Sequence, residues 1–151
     1  MLSPKITLKV LLGQSEFSAE GFLGTDTRTP EEIMAEDLNT IQTLGTTKEK
    51  TAGILREIYV KAERAMGNAV KLSEKISATH QEACGRIPSP FPNDGTFQKG
   101  QASISGFADG QTIIITPLSI HLIEKYGFFQ GKGSLYRIDP QTVVALGELK
   151  L

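Results

Sequence analysis

A single cysteine, Cys84, among 151 residues excludes an intramolecular disulfide and agrees with a reducing compartment. Charge of either sign is not in excess. Sixteen Lys and Arg stand against seventeen Asp and Glu, a formal net charge of −1. That balance supplies no general attraction to the phosphates of DNA or RNA, or to an anionic lipid surface. No apolar run approaches the ~20 residues of a membrane helix. The opening MLSPKITLKVLLG is interrupted by Lys9, and is too short and too polar for the core of a signal peptide. Internal repeats and low-complexity tracts are also lacking. The expectation is a soluble, cytoplasmic protein with no nucleic-acid and no membrane partner, long enough to bury roughly 68–70% of its unfolded surface.

Signatures of catalysis and metal binding are missing as well. GFFQGKGS, residues 127–134, comes nearest to a phosphate-binding loop. A P-loop requires G-x-x-x-x-G-K-[ST] between a strand and a helix. Here one residue is missing between the glycines, Gly133 stands where a hydroxyl should follow the lysine, and the flanking elements are reversed. Backbone N–H groups in that order build no phosphate nest at a helix N-terminus, so a Walker-type site is excluded. The glycines instead suit a helix end at Gly127 and a tight turn over Gly131-Lys132-Gly133. What survives is a weaker anion site, in which Lys125, Lys132 and Arg137, close in sequence, meet a carboxylate or phosphate. The available metal ligands are His80 and Cys84, four apart, and His121, the other histidine. No CxxC, HxxxH or HExxH spacing supports them. A cysteine near a helix C-terminus is also held away from the thiolate form. No cofactor and no metal are expected, and no carboxylates stand paired at acid–base spacing.

What the chain does have is periodicity. KITLKVLL alternates apolar and polar residues, which predicts an N-terminal strand with one wet face. Thr29-Pro30-Glu31-Glu32 forms a capping box with proline at the first helical position, and Ile33, Met34, Leu38, Ile41 and Leu44 continue a helix over 30–44. A second box at Thr46-Thr47-Lys48-Glu49 opens another helix. Leu55, Ile58, Ala62, Ala65, Ala69, Leu72, Ile76, Thr79 and Ala83 recur at spacings of three and four, which extends it to about residue 83. The two make an antiparallel helical hairpin over 30–84. Residues 85–100, GRIPSPFPNDGTFQKG, read as a Pro/Gly-rich link without regular structure. ASISGFADGQTIIIT then predicts a β-hairpin turning at Asp109-Gly110, with Ile104 opposite Ile115. A helix over 117–126, a strand at SLYRI and a helix over 140–147 complete the C-terminal part, 101–151, with a strand over 143–149 as the alternative to that last helix.

The fold expected is α+β, a single domain over 1–151: N-terminal strand, long helical hairpin, then a β-hairpin with short helices forming a small, mainly antiparallel sheet. Two functions follow. The first is a non-enzymatic interaction or scaffold protein, a homo-oligomer that self-associates through Ala62, Ala65, Ala69, Leu72 and Ile76, because the short first helix leaves half of that seam uncovered. The alternative is a small-molecule (anion) binding protein or enzyme that uses the glycine and basic residues of 125–137.

Overall fold

The computed structural model describes Leu12 and residues 21–149. The strand expected from KITLKVLL lies outside the described residues. What is described is a mixed α+β fold. Helix α1, Pro30–Thr43, starts as its sequence requires: Thr29 Oγ1 accepts from the Glu32 N–H at 3.2 Å, and the Glu32 carboxylate accepts from the Thr29 N–H. Such caps are worth about 1 kcal/mol each. Helix α2, Lys48–Arg64, is capped by Thr47 and buries Leu55, Ile58, Tyr59 and Ala62 along one stripe. None of the described helices is long and apolar enough to cross a membrane.

Helix α2 does not run to residue 83. It ends at Arg64, and the chain turns through Met66 and Gly67, both at positive φ. Beyond the turn the segment expected to prolong the helix forms strands: β1, Val70–Lys71, and β2, Ser77–Gln81. Of the residues of the expected stripe, Thr79 alone lies within one of them. In β2 it is Ala78 and His80 that turn inward. The expected long hairpin is therefore two helices of moderate length, the second followed by a β-hairpin.

The link is not structureless either. It holds β3, Arg86–Pro88, paired with β4, Thr96–Gln98, a two-stranded antiparallel sheet whose proline sits at a strand end. Strands β5, Gln101–Ser105, and β6, Ile113–Ile115, complete a four-stranded antiparallel sheet in the order β1-β2-β5-β6. The β5–β6 register pairs Ile104 with Ile113 and Ala102 with Ile115, a slip of two residues from the expected pairing, because the connection is longer than a two-residue turn. A slip of two keeps every side chain on its face, and Ile104, Ile113 and Ile115 are all buried.

Helices α3, Pro117–Tyr126, and α4, Pro140–Gly147, fall where the sequence placed them, with Thr116 and Asp139 as caps and Gly127 left-handed after α3. SLYRI runs through turns and forms no strand. One core joins α2, the four-stranded sheet, α3 and α4. A second gathers Phe22, Leu23, Ile33, Phe91, Leu122 and Phe128.

The glycine stretch finds its explanation here. Residues 130–134 lie backbone to backbone against 22–26, with Gly131 N–H donating to Phe22 O at 2.8 Å and Thr25 N–H to Lys132 O at 3.0 Å. A Cβ on Gly131 would stand 2.2 Å from Leu23 O. Close approach of two chain segments, not a phosphate, is what these glycines serve.

Two glycine substitutions should therefore act in opposite directions. Gly131→Ala is expected to cost about 3 kcal/mol or more, since backbone must shift to admit it. Gly53→Ala, in the exposed interior of α2 with open space around it, should stabilise by about 0.5–1 kcal/mol. Urea unfolding of both variants checks the pair.

Candidate functional site

The site assembles from two elements at their ends. On α2 the inward stripe carries Tyr59, and one turn later Glu63 reaches the solvent edge. On β2 the inward positions carry Ala78 and His80. Glu82, one residue past the strand, continues that alternation. Helix and strand thus each bring one ring and one carboxylate to the same place. Tyr59 and His80 are both more than nine-tenths buried. Their rings meet edge to face at 5.1 Å, and His80 Nε2 lies 3.0 Å from the Tyr59 hydroxyl.

Gly100 makes this contact fit. A Cβ there would lie 2.8 Å from the Tyr59 hydroxyl and 3.1 Å from His80 Nε2, so any side chain would press on the hydrogen bond itself. Over the pair opens a cleft of about 420 Å³ whose lining includes Tyr59, Glu63, His80, Glu82, Arg86 and Gly100. A neighbouring recess of about 270 Å³ shares Glu63, His80 and Glu82 with it.

The electrostatics of the cleft are set by its acids. Burial, and then the charges of Glu63 and Glu82, push the Tyr59 hydroxyl up to about 12. The phenol keeps its proton and remains a hydrogen-bond partner. If it donates to Nε2, His80 carries its proton on Nδ1. If Nε2–H donates instead, the phenol O–H is left to donate. With a neutral imidazole, the second arrangement leaves the phenol O–H as a donor for a ligand. Among the described residues neither Glu63 nor Glu82 has an ion-pair partner. Arg86, the cation of the lining, donates to Thr96, through Nε to Oγ1 at 2.9 Å and NH2 to the carbonyl at 2.7 Å. Both acceptors are neutral, so Arg86 keeps its charge and the two carboxylates outnumber it by one.

The cations singled out in the sequence do not converge. Lys125 Nζ donates to Asp94 at 2.6 Å, Arg137 holds Asp37 through NH2 to Oδ1 at 3.0 Å, and Lys132 presents its side chain to solvent while its N–H donates to Asp26. Burial alone would raise the Asp94 carboxyl. Hydrogen bonds from Lys125, Ser89 and His121 outweigh it and hold the group well below the usual carboxylate range. The three metal candidates are also apart: His121 is bonded to Asp94 at 2.7 Å, His80 to Tyr59, and Cys84 is exposed in the segment after β2 rather than on a helix. No cluster of three or more ligating side chains that could hold a metal ion occurs among the described residues. Of the seam residues, Ala62 and Leu72 are buried in this chain's own core and Ile76 is half-buried against it. Ala65 follows the last turn of α2 and Ala69 is exposed.

Tyr59, Glu63 and Gly100 escaped the sequence reading, as did their meeting with Glu82. Their signal was the H-x-E alternation of residues 80–82, invisible while that segment was taken as helix. No family model matches the chain, and neither does any curated protein or solved structure.

The raised Tyr59 hydroxyl links to stability with a definite sign. An unfolded tyrosine ionises near pH ~10, and the folded one near 12. Between those values the unfolded chain releases a proton that the folded chain keeps, so stability falls as pH rises, by up to about 1.4 kcal/mol per pH unit. Urea unfolding at a series of alkaline pH values should show a shallower fall for Tyr59→Phe than for the unsubstituted protein.

Proposed function

We propose that the protein is a non-enzymatic small-molecule-binding protein whose ligand presents an ammonium or guanidinium group to Glu63 and Glu82 and a hydrogen-bond acceptor to the Tyr59–His80 pair. The observation that carries this reading is the placement of two carboxylates, without an ion-pair partner among the described residues, over a buried, hydrogen-bonded floor. Two charges of one sign at the mouth of a recess repel each other, and a cation between them relieves that repulsion. Exposed ion pairs contribute about 0–1 kcal/mol each and a hydrogen bond about 1 kcal/mol. A minimal cation should therefore bind only in the millimolar range or weaker.

Binding is favoured over catalysis by the state of Tyr59. It is the group hydrogen-bonded to His80, and with its proton held to about pH 12 it is no nucleophile at neutral pH. The anion reading has less support, because Asp94 and Asp37 already neutralise Lys125 and Arg137.

Self-association is the second reading. What favours it now is Met66, 87% exposed at the turn after α2, with Ala65 and Ala69 beside it in sequence. A single apolar side chain of this kind is common on monomers. If the tip joins two copies, Met66→Glu should lower the molar mass measured by light scattering at high concentration. An unchanged mass removes that reading.

For the cleft, calorimetric titration with ethylammonium and with guanidinium should show weak, saturable binding, reduced tenfold or more in the Glu63→Gln, Glu82→Gln double variant. Acetate and phosphate should not bind there. Binding of the anions and not of the cations would overturn the proposal.

A further inference from the structure

The cleft is backed by a second cavity, of about 330 Å³, on the other side of the segment that carries Gly100. Residues 98–101 lead from β4 into β5 and separate the two cavities. Gly100 faces the cleft, while Lys99 and Gln101 line the second cavity. Ala83 and Gln98 border both. The cavity's apolar walls are Phe22, Ile87 and Leu118.

A buried polar group also lines it. Gln130 is 3% exposed and holds a positive φ of 70°, a conformation that costs a non-glycine residue of order 1 kcal/mol. Its carboxamide oxygen accepts from Ser134 at 2.8 Å and its carbonyl from Arg137 at 2.8 Å. The carboxamide nitrogen has no hydrogen-bond partner among the described residues, and no fully buried side-chain nitrogen or oxygen among them lacks one.

Resting on the reading of the cleft as a cation site, we infer that the ligand is an amine with an apolar body, its ammonium held by Glu63 and Glu82 and its body crossing the rim at Ala83 and Gln98 into the second cavity. Charge fixes the direction. The cleft lining carries Glu63 and Glu82 against one cation, Arg86, while the charged residue of the second cavity is Lys99, which repels an ammonium. Apolar walls reward a body that leaves water, by about 0.8 kcal/mol for each methylene buried, which is roughly a fourfold gain in affinity. A cation without a body would leave the second cavity empty and bind only weakly.

The test is calorimetric titration with ethyl-, butyl-, hexyl- and octylammonium chloride, below any concentration at which they aggregate. Affinity should rise by roughly fourfold per methylene along the series until the cavity is full. Ile87→Trp, which puts a bulkier side chain into the second cavity, should abolish the rise. Methyl signals of Leu118 and Ile87 in the unsubstituted protein should shift with hexylammonium and not with ethylammonium, which keeps the test independent of how that variant folds. Ethylammonium binding with a flat series, or a rise with no shift at Leu118, overturns the apolar-body inference alone. Failure of every amine to bind overturns the cation site and this inference with it.

Discussion

The hydrogen bond between Tyr59 and His80 is the contact on which the rest of the cleft depends. Each ring buries a polar atom, and a buried polar atom without a partner costs about 1–3 kcal/mol. The pair meets that demand internally, but only if α2 lies across β2 with residue 59 over residue 80. Gly100 keeps the space between them free of a side chain. With helix and strand fixed in that register, Glu63 and Glu82 come to the rim without further design, one by helical spacing and one by strand alternation. The negative mouth of the cleft is thus a consequence of how its floor is satisfied.

Elsewhere the chain spends its opposite charges on itself. Asp94, almost wholly buried, collects Ser89, His121 and Lys125 and ties the β3–β4 hairpin to α3. Phe91 stacks on Tyr126 at 3.9 Å in the same junction. Asp37 does the equivalent for α1 and the segment before α4 through Arg137. Removing the partners of such a carboxylate would leave a buried charge uncompensated. These carboxylates therefore act as structural anchors, and the cations they hold are not free for a ligand. Glu63 and Glu82 differ in standing at a recess with no such partner among the described residues. That contrast, more than the charge count, singles out the cleft.

Much of the fold was legible where local chemistry decides. Thr29, Thr47, Thr116 and Asp139 announce helix starts, prolines follow three of them, and Gly127 announces an end. The alternation of ASIS and III placed the β5–β6 hairpin on its correct faces even though the register slipped. What was lost lay between residues 65 and 83. Alanines fit a helix by propensity, yet Gly67, Asn68, the serines and the β-branched Ile76 and Thr79 favour a turn and a strand. Pairing with β5 across the sheet settles the matter, and that partner is not visible in a local stretch. The candidate site fell in the same gap. With residues 77–81 read as helix, His80 faced Cys84, and its actual neighbours, Tyr59 and Gly100, lay outside any sequence window. The basic cluster is a related case. Nearness in sequence identified Lys125, Lys132 and Arg137, but not the buried carboxylates that would claim two of them.

The central claim is that the Tyr59–His80 cleft takes a cation. The most direct measurement is a two-dimensional NMR titration with ethylammonium chloride that follows the His80 ring and the backbone amides of Glu63, Glu82 and Gly100, with sodium acetate as the matched control. Saturable shifts confined to those residues, and absent with acetate, are the expected result. Shifts that never saturate, or that appear with acetate around Lys125, Lys132 and Arg137 instead, would contradict the account.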